Sequence, residues 1–371
     1  MKCQMVIKNI FSFFLFFAVF FNSCSKTNNA SYPDAQIELA LGTVCIINLY
    51  AGGKDTVYSS IFSRIQEINR TMSVHKSEFQ HMFDEATSLQ PAASSLVSGI
   101  AAINEQAGIR PVRVRSDIID VLEKALYYAE LSDGAFDPTV GPLVNLWGIG
   151  TDDERLPSEN EIDETLKLVN WRDVIINREE STVFLQREGM AIDLGAIAKG
   201  YAADEAVRIA REAGVRSGVI DLGGNISVIG LRTDKGATRH WRIGVQDPLS
   251  DRGGYVGVLI VSDTNVVTSG VYERYFLQDG KRYHHIFSTE TGYPVDNGLL
   301  SVTIVTEESI VADALSTVVF ALGLERGKAL VDASPGVEAV FILNDKSIII
   351  TDGLKNIFSF ESDEYTLVSL Q

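Results

Sequence analysis

Basic residues are scarce in this chain of 371: 32 Lys and Arg stand against 49 Asp and Glu, for a formal net charge of -17. A nucleic-acid backbone needs a basic stripe, so nucleic acid is excluded as a partner. An acidic protein still binds phosphate where a metal ion or a helix N-terminus supplies local positive character. Cysteine is scarcer still, with three residues. Cys3 lies in a leader-like segment and Cys24 at its end, which leaves Cys45 alone in the apolar, strand-like "TVCIINLY". No disulfide can then form within the mature chain, and a buried core position is the expected role of Cys45. No internal repeat or low-complexity tract is found. What is present is ample core material: 46% hydrophobic residues, over a length sufficient for one large or two ordinary domains.

The N-terminus reads as a signal peptide over residues 1–23. Lys2 and Lys8 bracket a short basic region, and "IFSFFLFFAVFF" is an apolar run to Phe21 that is short for a membrane span. Cys24 sits where a bacterial lipoprotein is cleaved and lipidated, although Phe21 stands where Leu is usual. An ordinary signal peptide and a retained anchor helix are the other readings. Residues 24–36 then form a lipidated, flexible tether and 37–371 a single domain. The location that follows is the cell envelope, lipid-anchored at the periplasmic face of the inner membrane.

Helical and strand patterns alternate in the mature chain, an α+β pattern. Residues 54–69 carry Ile61, Ile65 and Ile68 at helical spacing. "SDIIDVLEKALYYAELSDG" is a helix with Ser116 as N-cap and Gly134 as terminator. "DVIIN" and "TVFLQ" form a hairpin pair, and residues 196–213 an amphipathic helix ending at Gly214. "VRSGVIDLGGNISVIG" reads as strand, glycine turn, strand. Further strands fall at 241–246, 255–261 and 301–306, with a helix at 309–322. Residues 80–99 read as an insertion or surface loop, and 150–160 as a polar connection.

Four clusters combine glycine with acids: "GAFDPTVGPLVNLWGIG", "IDLGAIAKGY", "IDLGGNISVIG" and "TSGVYERYFLQDGKRYHHIFSTETGYP", the last leading into "VADALSTVVFALG". Glycine lets backbone approach a ligand closely. "DLGAIAKG" at a helix start can aim backbone N–H groups at a phosphate, with Lys199 adding a point charge. Asp193 could anchor that turn or bind a ligand hydroxyl or ring edge. The same residues also make an ordinary capped helix with a solvated lysine. In "DALST", Asp313 and Thr317 share one helical face, and a carboxylate with a hydroxyl suits a hard cation such as Mg²⁺. They equally describe an acid near a helix start and a Thr back-bonded to its own helix.

Taken together, in this order, the clusters resemble the ApbE-type flavin transferases: periplasmic, Mg²⁺-dependent FAD:protein FMN transferases. The resemblance spans about residues 40–325 and includes "LGT" at 41–43, "SVTIV" and "ADALST". It implies a tunnelling-fold-like α+β domain in two closely packed lobes. It implies cleavage of the FAD pyrophosphate, passage of FMN to a threonine hydroxyl of a membrane or periplasmic acceptor protein, and release of AMP. By position, Asp313, Thr317 and the backbone carbonyl of Ala196 match the metal ligands. Asp193, Lys199, Ala135, Phe136 and Asp137 match flavin-contacting positions, and Leu41 and Phe287 match apolar contacts. His285 matches the acid–base histidine, with His284 a bystander; a satisfied strand histidine is the other reading of His285. As a ligand in an open cleft, Asp313 would add little to stability.

Two positions depart from the family pattern. His75 stands where an aromatic, typically Tyr, stacks on the isoalloxazine, and Ser316 stands where a further acid sometimes precedes the metal Thr. The other functions compatible with the same cleft are Mg²⁺-dependent FAD hydrolysis to FMN and AMP, and non-catalytic FAD binding.

Overall fold

The computed structural model describes residues 35–72, 74, 99–234, 236–251 and 253–369. The signal peptide, Cys24, His75 and residues 80–98 of the expected loop at 80–99 lie outside them. The described residues form one compact unit.

Its frame is a nine-stranded sheet whose spatial order is its chain order. The strands are β1 (Gln36–Ala40), β2 (Thr43–Ala51), β3 (Ser217–Leu222), β4 (Asn225–Ile229), β5 (Thr264–Gly270), β6 (Leu299–Thr306), β7 (Glu338–Leu343), β8 (Ser347–Ile350) and β9 (Thr366–Val368). Neighbours are antiparallel except the parallel pair β8–β9. Strand residues alternate between two cores, as a period of two requires. Val267, Ile304, Ala339, Phe341 and Ile349 face a large helical core. Val266, Val305, Val340, Ile342 and Ile348 face a smaller one. That smaller core lies under a three-stranded sheet of Trp241–Gln246, Tyr255–Val261 and Phe358–Phe360. Cys45 is fully buried, and burial pushes its thiol up to about 12.

Four long helices supply the helical layer: α1 (Asp55–Met72), α2 (Ser116–Leu131), α3 (Ala198–Glu212) and α4 (Ser309–Asp332). Ile61, Ile65 and Ile68 form the expected buried stripe of α1. Arg115, not Ser116, is the N-cap residue of α2. The left-handed turn after α2 begins at Asp133 (φ 53°) and continues at Gly134 (φ 82°). Helix α3 starts two residues later than expected, because Ile197 at its N-cap is not helical. The expected helix at 309–322 ends at Gly323 (φ 79°), and a second helical segment carries α4 on to Asp332.

Helices α3 and α4 are held close by small residues. Ala198, Ala202, Ala203, Ala206 and Ala210 form the buried face of α3. A β-carbon on Gly200 would lie 2.7 Å from both Asp313 Cβ and Ile310 Cα, so only glycine fits. Helix α4 has no side-chain cap of its own. Asp204 of α3 caps it instead, accepting from the Ser309 and Ile310 N–H groups at 2.8 Å each. Burial there raises the Asp204 carboxyl to about 6.

A third, small core centres on Trp147, which packs against Phe276, Tyr283, Phe287 and Tyr293. It anchors a hairpin of Tyr275–Gln278 and Lys281–His284. The hairpin fixes the segment that carries His285 and Phe287.

Candidate active site

One cavity of about 600 Å³ opens among these elements. Leu41, Ala135, Phe136, Asp137, Asp193, Ala196, Lys199, His285, Phe287, Asp313 and Thr317 all line it. Segments up to 276 positions apart in the sequence, Leu41 and Thr317, thus meet at one place.

Two hairpin tips form part of the wall. Ala40 pairs with Thr43, which leaves Leu41 and Gly42 as a two-residue turn at φ 54° and 70°. Gly223 and Gly224 (φ 67° and 90°) turn β3 into β4, and the Gly224 N–H donates to Asp221 Oδ1 at 2.7 Å. A β-carbon on Gly223 would collide with the Thr43 side chain, so the two tips touch through glycine.

The loop before α3 is tied from both ends. The Asp193 N–H donates to the Pro138 carbonyl at 2.8 Å, which joins two of the glycine-rich clusters. Asp193 Oδ1 accepts from the Gly195 N–H at 2.7 Å and so anchors the turn. The expected anion cradle at the helix start is partly closed. The Ile197 and Ala198 N–H groups donate to the Leu194 carbonyl, and the Gly200 N–H to Asp313 Oδ2 at 2.8 Å. Nor is Lys199 a solvated lysine: its Nζ donates to the Gly195 carbonyl at 3.1 Å and lies 3.7 Å from Asp313 Oδ1.

On α4, Asp313 is only 4% exposed, which corrects its reading as an open cleft ligand. The back-bond to the helix is made by Ser316, whose Oγ donates to the Asp313 carbonyl at 2.8 Å. Thr317 Oγ1 instead meets Ser269 Oγ at 3.2 Å. Among the described residues no group of three His, Cys, Asp or Glu side chains could hold a metal. A cation here would therefore rely on mixed oxygens: Asp313 Oδ1, the Thr317 hydroxyl and the Ala196 carbonyl. That set fits a hard ion such as Mg²⁺, which completes its shell with water and phosphate.

Asp137 reaches the wall, but its carboxylate is committed to the loop. Oδ1 accepts from the Thr139 N–H and hydroxyl (2.7 and 2.6 Å), and Oδ2 from the Trp171 N–H (2.9 Å). Burial raises its pKa above the ordinary carboxyl value. What Asp137 offers a ligand is the shape of the Ala135–Asp137 backbone.

The two histidines separate cleanly. His284 is buried, with Nε2 2.9 Å from the Val295 carbonyl and Nδ1 accepting from the Ile286 N–H at 3.3 Å. Both its nitrogens are used inside the fold. His285 lines the cavity, with Nδ1 3.2 Å from the Arg274 carbonyl. A carbonyl only accepts, so Nδ1 carries the proton and Nε2 keeps its lone pair. Burial, and then the Arg274 charge, lower its pKa well below the usual 6.5. The imidazole is therefore a neutral base at pH 7.

Several lining residues were not singled out from the sequence: Arg274, Ser269, Asn145 and Asn225. Ser269, Arg274 and Asn225 fall inside the quoted motifs "TSGVYERYF" and "DLGGNI". Nothing local marked their side chains, because the partners lie on other elements. Asn225 is 1% exposed, accepts from Ser309 Oγ at 2.7 Å, and has an amide nitrogen with no partner.

A hard-cation oxygen set, two basic side chains and a neutral histidine around one cavity are the equipment of a phosphoryl-transfer enzyme. Residues 41–341 match the ApbE family, and the chain belongs to that family. It is 36% identical over 334 residues to the FAD:protein FMN transferase of Treponema pallidum (strain Nichols), covering 86% of this chain and 87% of that protein. It is 34% identical over 328 residues to the FAD:protein FMN transferase of Klebsiella pneumoniae (strain 342), covering 88% and 95%. The crystal structure of the ApbE protein from Thermotoga maritima matches with a TM-score of 0.74 at 32% identity, covering 87% of this chain and 98% of that one. The α+β fold expected from the resemblance is the fold adopted.

Proposed function

We propose that the cavity binds FAD and that this chain transfers FMN from FAD to a threonine hydroxyl of an acceptor protein, releasing AMP. The observation that carries this reading is the convergence of Asp313, Thr317, Ala196, Lys199 and His285 on one cavity. His285 Nε2 takes the hydroxyl proton as the acceptor oxygen forms its bond to the FMN phosphorus. The bond from that phosphorus to the bridging oxygen breaks, and AMP leaves with that oxygen. Asp313, Thr317 and the Ala196 carbonyl are the residues that would hold Mg²⁺. When bound, the ion supplies neutralisation of the pyrophosphate charge. Lys199 and Arg274 add positive charge, and Leu41 and Phe287 exclude water from the ring system. The test is incubation with FAD and Mg²⁺, with and without an acceptor peptide. Covalent flavin on the peptide with matching AMP supports the reading; neither product overturns it.

With water in place of the acceptor hydroxyl, the same site would give FMN and AMP. His75 in place of an aromatic favours some of this hydrolysis.

The chain's location belongs to the same proposal: residues 1–23 are a signal peptide and Cys24 the lipidated residue of a cell-envelope protein at the periplasmic face of the inner membrane. Among the described residues, no helix is long and apolar enough to cross a membrane. Lipid anchoring predicts that Cys24→Ser moves the protein from the membrane to the soluble fraction. A variant still on washed membranes overturns it.

A further inference from the structure

We propose that Lys199 guards the Asp313 carboxylate against free divalent cations, so that cation loading is coupled to arrival of the anionic substrate. The inference rests on the reading of the cavity as a site for a pyrophosphate and a cation.

Asp313 has two carboxylate oxygens with different fates. Oδ2 takes the Gly200 N–H at 2.8 Å, which leaves Oδ1 as the oxygen available to a cation. The group facing Oδ1 is the Lys199 ammonium, at 3.7 Å. The same ammonium donates to the Gly195 carbonyl at 3.1 Å, one peptide before the Ala196 carbonyl. It therefore sits between the Gly195 carbonyl and Asp313 Oδ1, beside the carboxylate oxygen that would ligate a divalent ion. The placement is rigid on the acid's side, since Gly200 locks α3 against Asp313. It is adjustable on the lysine's side, because the ammonium rides on a flexible four-carbon stem.

An ammonium and a divalent ion within a few ångströms repel strongly in a partly buried site. A cation entering the free protein must displace Lys199 without compensation. With a pyrophosphate in the cavity, the displaced ammonium gains phosphate oxygens as new partners, and the cation gains both the phosphates and Asp313. Cation and substrate then strengthen each other's binding by one and the same factor. A neutral side chain at 199 would remove the guard and leave only the direct attraction between cation and phosphates to couple the two.

The experiment titrates Mn²⁺, read by electron paramagnetic resonance of the free ion, with and without FAD. In the wild type, Mn²⁺ is expected to bind at least tenfold more tightly with FAD than without it. Lys199→Met is expected to bind Mn²⁺ alone at least tenfold more tightly than the wild type, with a smaller further gain from FAD than the wild type shows. Lys199→Gln provides a second neutral variant, and Lys199→Arg, which keeps the charge, should behave as the wild type. Neutral variants that bind Mn²⁺ alone no better than the wild type overturn the inference. Asp313→Asn separates the two levels. If it binds Mn²⁺ as the wild type does, the cation site itself is misplaced and the inference falls with it. If it loses Mn²⁺ while Lys199→Met gains none, only the inference falls.

Discussion

The Gly200 N–H donates to Asp313 Oδ2 at 2.8 Å, across the contact between α3 and α4. One glycine thus does two things: it admits the α4 backbone and orients the acid that faces the cavity. Gly200→Ala should destabilise the protein by roughly 1–3 kcal/mol through overpacking and should sharply reduce FMN transfer. Asp313→Asn should abolish transfer with a smaller loss of stability than Asp313→Ala, because Ala leaves the buried Gly200 N–H unpaired. Thermal unfolding and a transfer assay on the three variants check both statements.

His285 should set the acidic limb of the pH–rate profile. Its folded pKa is lowered well below 6.5 by burial and by Arg274, so the basic form persists into mildly acidic solution. Transfer should hold below pH 6.5 and fall only at more acid pH, as the imidazole protonates. Arg274→Gln should move that limb upward, and His285→Asn should lower kcat by about 10²–10⁴-fold. A limb unmoved by either change would remove His285 from the chemistry.

Asp204 should leave a signature in the pH dependence of stability. Its folded pKa, about 6, lies above the ordinary carboxyl value of 3.8. The stability it contributes is full below about pH 4 and is lost as the pH rises through 6. The stability difference between the wild type and Asp204→Asn should therefore shrink by roughly 2–3 kcal/mol between pH 4 and pH 7. Urea unfolding of both proteins at several pH values measures it; parallel profiles would contradict the assignment.

The remaining prediction concerns His75, which lies outside the described residues. A Tyr there offers a larger offset stack, worth about 0.5–1.5 kcal/mol. His75→Tyr should tighten FAD binding about two- to tenfold and slow acceptor-independent AMP release. Unchanged affinity, or no hydrolysis in the wild type, would leave a strict transferase.

Local patterns in the sequence revealed much of this architecture. The two-glycine turn at 223–224, the Val174–Asn177 and Thr182–Leu185 hairpin, and the α1 stripe are all short-range features. They are legible because their partners are a few residues away. The closed donors of the α3 start were not legible, nor was the burial of Asp313 or the capping of α4 by Asp204. Each depends on a partner from another element, such as the 105 positions between Asp204 and Ser309. The commitment of Asp137 was hidden in part for the same reason, since Trp171 supplies one of its three hydrogen bonds. Motif order carried the site's membership; only packing told which atoms of each member are left for a ligand.

Leu41 has its own consequence. It holds φ at 54° at a turn position where Asn or Gly is at ease, and it does so in the cavity wall. A selection for heat resistance alone should therefore recover Leu41→Asn and Leu41→Gly among its early winners. Those same winners should bind flavin poorly, so thermostability and substrate affinity trade against each other at this one residue.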